Sequence, residues 1–199
     1  MIIKEILKDN DFTNKFEFFK DFKESPYYDK LLDLYDNLDT KALFKSKIHG
    51  QAHIERVMLY SMLLSFKYNL DDIDTKIIGT CSSYHDVKRV DDSYDEGHGK
   101  RASEVISNFT NLDGDNLQIT KAILTSHSID DKLMKKVIDN YNIKDKKRAL
   151  FLAKLFKDSD NLDRVRLNDL DEKFLRLDFS KELVNFARKL FERYKDYAI

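Results

Sequence analysis

Five glycines and one proline are spread over 199 residues, about 3% of the chain where an ordinary composition carries about 12%. A β-sandwich or barrel needs turn residues roughly every 8–12 positions, and collagen-like or low-complexity chains need far more Gly and Pro. A chain this poor in breakers has long helices joined by polar loops. No segment shows the sustained period-2 alternation of a strand, so the expected fold is all-α. The glycines are also unevenly placed. Gly50 follows His49, and Gly97 and Gly99 flank His98, so three of the five touch a histidine in a chain with only five histidines.

The apolar spacing predicts where the helices run. Phe16, Phe19 and Phe22 recur at helical spacing in a segment 12–39 whose expected break is Pro26. Residues 54–66 are apolar on nearly every side, the pattern of a central buried helix. Asp71 or Asp72 caps the next helix, which carries Ile77, Ile78 and Cys81. Residues 91–99 read as a polar loop. Helices are then expected around Ala102–Phe109, over 117–127, 130–140 and 145–163. A last helix, capped by Ser180, carries the stripe Leu183, Phe186, Ala187, Leu190, Phe191 and Tyr194. No repeat and no Pro- or Ser-rich linker divides the chain. It reads as a single helical domain 1–199, with a core at about 45–168, an N-terminal helical segment 1–44 and C-terminal helices 169–199.

Composition narrows the function classes. Lys and Arg number 35 against 36 Asp and Glu, a net charge of −1, which gives the whole molecule no attraction to nucleic acid or to an acidic membrane. With 42% hydrophobic residues, 14 Phe and 10 Tyr the chain is not disordered. The longest strongly apolar stretch, 57–66, is about half a membrane span, and the charged N-terminus MIIKEILKDN does not fit a signal peptide. One cysteine, Cys81, fits a reducing compartment. The expectation is a soluble cytoplasmic protein.

Ionisable residues lie on the apolar stripes. His85 falls four residues after Cys81, His98 four before Ala102, His127 three after Leu124, Asp160 four after Phe156, and His53 opens the central helix. Taken singly, a histidine on an apolar face is ordinarily a hydrogen-bonded core residue, and a helix-end Asp is ordinarily a cap. Taken together, five segments each turn an imidazole or carboxylate inward. Burying such groups without partners costs a few kcal/mol each, and a shared divalent cation offsets that cost for all of them. Without a second Cys, a thiolate zinc site is excluded.

His85 and Asp86 are adjacent, with His53 32 residues before His85 and Asp160 74 after Asp86. HGQAHIERV (49–57), SYHDVKRVDDSYDEGHGKRASE (83–104) and LFKDSDNLDRVR (155–166) resemble, in order, the first motif, the HD pair with its HG-x-x-A extension, and the last motif of the HD-domain superfamily of metal-dependent phosphohydrolases. Ser159 stands where that last motif commonly has Ala. The resemblance covers about 45–168 and implies an all-helical bundle with a metal site in its core cleft. It implies a first metal held by His53, His85, Asp86 and Asp160, and a second held by His98 and His127 with Asp86 bridging. It also implies Fe, Mn, Mg, Ni or Co as the ion, and a phosphorylated small molecule, a nucleotide above all, as the partner hydrolysed. The H-HD-H-H-D order is most similar to the HD hydrolases that cleave symmetrical dinucleoside tetraphosphates.

Around that ligand set, Asp86, Lys88 and Arg89 are the expected catalytic residues, and Lys88, Arg89 and Arg164 the expected substrate contacts, since cationic donors, Arg above all, suit phosphate oxygens. Arg56 and Asp163 are expected behind the ligands: Asp163 either orients a ligand histidine or pairs with Arg56 or Arg164. Asp158 points about 160° away from Asp160 on an ideal helix and is set aside. His49, Asp92 and Asp95 are assigned to the surroundings or to solvated loops. Two other readings stay open: an O2-dependent di-iron oxygenase on the same scaffold, and a non-catalytic helical regulatory domain with a structural metal.

Overall fold

A computed structural model describes residues 2–197. Among them there are helices and turns and no strand, the all-α fold expected from the scarcity of breakers. The order opens with four short helices, α1 (Ile2–Lys8), α2 (Asn10–Thr13), α3 (Glu17–Lys23) and α4 (Pro26–Asp36). The central α5 (Gln51–Lys67) follows, then α6 (Asp72–Tyr84), α7 (His98–Val105), α8 (Gly114–His127), α9 (Asp131–Asp139) and α10 (Lys146–Leu162). The chain closes with α11 (Asp178–Glu182) and α12 (Val184–Tyr194).

Helix α5 is the axis of the molecule. Every residue from His53 to Ser65 is buried, because α1, α4, α6 and α10 pack around it. Burying each of Leu59, Met62, Leu63 and Leu64 contributes roughly 1.5–3 kcal/mol. Helix α6 starts where Asp71 accepts a hydrogen bond from the Asp74 amide at 2.7 Å, and α10 starts where Asp145 accepts from the Arg148 amide at 2.9 Å. Helix α8 begins earlier than its apolar stripe suggests, at Gly114.

Helices α7 and α8 cross so closely that Gly99 is required. A Cβ there would stand 2.2 Å from the Leu124 carbonyl oxygen and 2.7 Å from His127 Nδ1.

The two ends of the chain differ from their expected outlines. The segment 12–39 breaks at Asn14–Phe16 as well as at Pro26, and Pro26 opens α4 as its first residue rather than interrupting a helix. The extra break has a packing cause. It lets Phe12, Phe16, Phe18 and Phe19 surround one ring, Phe186 of α12, at centroid distances of 5.8, 4.9, 5.4 and 5.7 Å. The N-terminal segment is therefore packed into a shared aromatic core with α12. Helix α1, inside the expected N-terminal helical segment 1–44, buries Ile2, Ile3, Ile6 and Leu7, and its Ile3 amide donates to the buried Glu55 at 2.9 Å. Ser180 is not the cap of the last helix. It lies within α11, and Leu183 joins the two helices without a side-chain cap.

Candidate metal centre

Five helix ends converge on one point. His53 stands in the first turn of α5, His85 and Asp86 directly follow α6, His98 opens α7, His127 closes α8, and Asp160 lies in the last turn of α10. The histidines and Asp86 are buried. Asp160 keeps 25% of its side chain exposed, so the cluster is open on that side.

Each histidine is oriented through Nδ1. His53 Nδ1 donates to Asp163 Oδ2 at 2.8 Å, His85 Nδ1 faces the Ser82 carbonyl at 3.3 Å, His127 Nδ1 donates to the Leu124 carbonyl at 2.6 Å, and His98 Nδ1 donates to the Asp95 carbonyl. With the proton on Nδ1, all four Nε2 atoms present lone pairs, and they present them to one another. His53 and His85 Nε2 are 3.0 Å apart, and His98 and His127 Nε2 are 2.8 Å apart.

Two facing lone pairs repel unless something positive lies between them. Ligand nitrogens bound at about 2.0–2.1 Å and set at right angles are about 3 Å apart, close to the spacing found. The carboxylates complete both sets. Asp86 Oδ2 lies 3.6 Å from both His53 and His85 Nε2, and Asp86 Oδ1 lies 3.3 Å from His98 Nε2. Asp160 Oδ1 is 3.5 Å from His53 Nε2 and 3.8 Å from His85 Nε2. Asp86 Oδ2 is a buried acceptor without a hydrogen-bond partner, and such an atom is costly unless a cation satisfies it. His53–His85–Asp86 and Asp86–His98–His127 each group their ligand atoms within 4.8 Å. These donors fit divalent cations of the N/O-preferring kind.

The electrostatics agree with that fit. Burial, with help from Arg166 and His85, holds His53 well below the ordinary histidine range. Burial, with His98 and His85, does the same to His127, and burial lowers His98. Neutral imidazoles are the form that coordinates. Burial pulls the Asp160 carboxyl upward, but Arg166, and the imidazoles of His85, His53 and His127 once acid has charged them, outweigh it and keep the carboxyl below the usual carboxylate range. Cys81 is a core residue, its thiol pushed up by burial.

Behind the candidate ligands, Asp163 does two of the things expected of it. It accepts from His53, and it also binds Arg56 through Nε and through Nη2 at 3.0 Å. It does not pair with Arg164, which turns outward to the exposed Asp169. The arginine near the centre is Arg166, whose Nη1 donates to the Asp163 carbonyl at 3.0 Å and whose Nε donates to the Ile48 carbonyl at 2.9 Å. The reason is a 3-10 turn over Asp163–Leu167. Three residues per turn place 163 and 166 on one side and 164 on another.

Asp158 faces away from the centre. It accepts from the Arg176 and Leu177 amides at 2.9 and 2.8 Å, tying the loop before α11 to α10. Lys88 is exposed, and its carbonyl accepts from Arg101. Arg89 instead reaches back to His98 and His49, at 3.1 Å each. His49 is buried, with Nδ1 2.8 Å from Asp92. Asp95 pairs with Arg101 as well as holding His98. A separate cleft of about 670 Å³ between α4 and α6, lined by Lys30, Leu34, Lys76 and Tyr84, contains none of the ligands.

No helix among the described residues is long and apolar enough to cross a membrane. Compared with known proteins, the chain matches no family model, no curated protein and no solved structure.

Proposed function

We propose that this protein is a metal-dependent phosphohydrolase that cleaves a phosphoester or phosphoanhydride bond of a small molecule of nucleotide type by attack of water. One observation carries the reading: a single buried carboxylate, Asp86, is shared by two histidine pairs, with one oxygen toward His53 and His85 and the other toward His98. That is the donor arrangement of two neighbouring cation positions. Cations held there supply a nucleophile from water near neutral pH and neutralise charge on a phosphoryl group.

The chain's own residues do the rest. His53, His85, Asp86 and Asp160 form one set of ligands, and Asp86, His98 and His127 the other. Four Nδ1 hydrogen bonds fix the tautomers. Asp160 lies at the open side, where a substrate can enter. Arg89, whose guanidinium lies beside His98, brings positive charge to the centre, complementary to a phosphate. The ordered resemblance of 49–57, 83–104 and 155–166 to the HD-domain motifs supports the same reading. A purely structural metal calls for a sealed site, and the exposure of Asp160 speaks against one.

The test is metal analysis of the purified protein, followed by a hydrolysis screen over nucleotides and dinucleotides with Mn, Fe, Co, Ni and Mg. We expect bound transition metal, phosphate release, and loss of both together in His85→Ala. Protein that takes up no metal, or loaded protein that hydrolyses none of these esters, refutes the proposal. Oxygen consumption without phosphate release favours the oxygenase reading.

A further inference from the structure

Arg89 is a guanidinium with too few acceptors. Its backbone is fixed by the turn after α6, where the Arg89 amide donates to the Asp86 carbonyl at 2.9 Å. Among the described residues no carboxylate lies within 4.0 Å of it. Its Nε is buried without a partner. Its Nη1 lies 3.1 Å from His98 Nδ1, but that nitrogen already donates its proton to the Asp95 carbonyl and is no acceptor. The contact that remains is Nη2 to His49 Nε2, at 3.1 Å.

His49 is built to be that acceptor. Its Nδ1 lies 2.8 Å from Asp92 Oδ1, which puts the proton on Nδ1 and the lone pair on Nε2. The same Asp92 oxygen accepts from Ser46 Oγ at 2.6 Å, and Ser46 Oγ accepts from the Ile48 and His49 amides at 2.8 and 3.1 Å. A Cβ at Gly50 would stand 2.0 Å from the Ser46 carbonyl oxygen, so the tight 46–50 turn that delivers His49 requires glycine. Two loops, 46–50 and 88–97, are thereby locked to one imidazole.

We infer that His49 is a positioning residue: the chain Ser46–Asp92–His49 holds the Arg89 guanidinium in place, beside the ligand His98, as a preformed receptor for the phosphate oxygens of the substrate. A planar guanidinium with unmatched N–H groups is suited to bidentate binding of such oxygens. Holding it beforehand removes the ordering cost from binding. The inference rests on the phosphohydrolase reading for the identity of the anion.

The test uses the full chain loaded with Mn and inorganic phosphate as the probe, with titration calorimetry on wild type, His49→Phe, His49→Gln, Arg89→Gln and the His49→Phe/Arg89→Gln pair. Metal content and thermal midpoint are checked for each. We expect His49→Phe to weaken phosphate about tenfold with metal content unchanged. His49→Gln, whose amide oxygen can still accept from Nη2, should stay within threefold of wild type. The double variant should be no worse than Arg89→Gln, because the two residues act as one unit. In turnover the His49→Phe loss should fall on KM more than on kcat.

Phosphate binding indifferent to His49, or additive losses in the double variant, overturns the relay and leaves the hydrolase reading standing. Loaded wild type that binds no phosphate overturns the receptor. Phosphate binding that depends on His49, in a protein that hydrolyses no ester, supports the relay and sinks the hydrolase reading.

Discussion

Asp163→Asn separates what a buried carboxylate does for the fold from what it does for the centre. Asp163 is fully buried and holds Arg56, itself 3% exposed, together with His53 and Arg166. Removing the charge leaves a buried guanidinium uncompensated, a loss of roughly 3–5 kcal/mol out of a total of about 5–15 kcal/mol. For a chain of this length each kcal/mol shifts Tm by about 2–4 °C, so metal-free Asp163→Asn should melt about 6–20 °C below wild type. A second effect is independent of the first: an amide cannot hold the His53 tautomer as a carboxylate does, and metal affinity should fall about 10–100-fold. The double variant Arg56→Met/Asp163→Leu distinguishes the two. It removes both charges, so most of the stability should return, while metal affinity should stay low because His53 Nδ1 has lost its acceptor. The assays are thermal and urea unfolding in chelator, and competitive metal titration. A double variant that melts no higher than Asp163→Asn, or that regains wild-type metal affinity, refutes the reasoning.

Three further outcomes follow from the same structure. Gly99→Ala should lower the thermal midpoint by an overpacking cost of about 1–3 kcal/mol, and should weaken metal binding as well, because the added carbon pushes on His127; calorimetry and metal titration read both. Metal-free protein should lose stability as pH falls below 6.5, the ordinary histidine value from which His53 and His127 are lowered. A depressed histidine pKa means the unfolded chain binds the protons first, so stability is full above that value and declines below it, by up to about 2.7 kcal/mol per pH unit for two groups; urea midpoints at pH 7.5 and 5.5 in chelator check the sign. Arg176→Ala should destabilise by roughly 1.5–3 kcal/mol through Asp158 without altering metal affinity, since Asp158 faces away from the ligands.

The convergence of these side chains was legible in the sequence because each sits at a helical interval from an apolar neighbour: His85 from Cys81, His127 from Leu124, Asp160 from Phe156. Periodicity says which way such a side chain points. It says nothing where the backbone leaves the α-helix. Arg164, expected at the substrate, turns outward and Arg166 lies beside Asp163 instead, where Asp163–Leu167 winds as a 3-10 helix. His49 looked peripheral because it precedes α5, and its link to Asp92 spans 43 residues. The break at Asn14–Phe16 was hidden for a similar reason: Phe186, the ring it serves, lies near the other end of the chain.

The convergence of helix ends has a consequence for how the molecule is made. His53 and His85 come from the consecutive helices α5 and α6, and His98 and His127 from the consecutive α7 and α8. Each nitrogen pair belongs to one local hairpin, whose closure is fast and entropically modest. Joining the halves through Asp86, and adding Asp160 from α10, needs the two hairpins and α10 docked together. A hairpin alone offers a cation two nitrogens, and the full donor set exists only once the halves have docked. A cation bound to that full set would favour the docked state over the separated hairpins by its binding free energy.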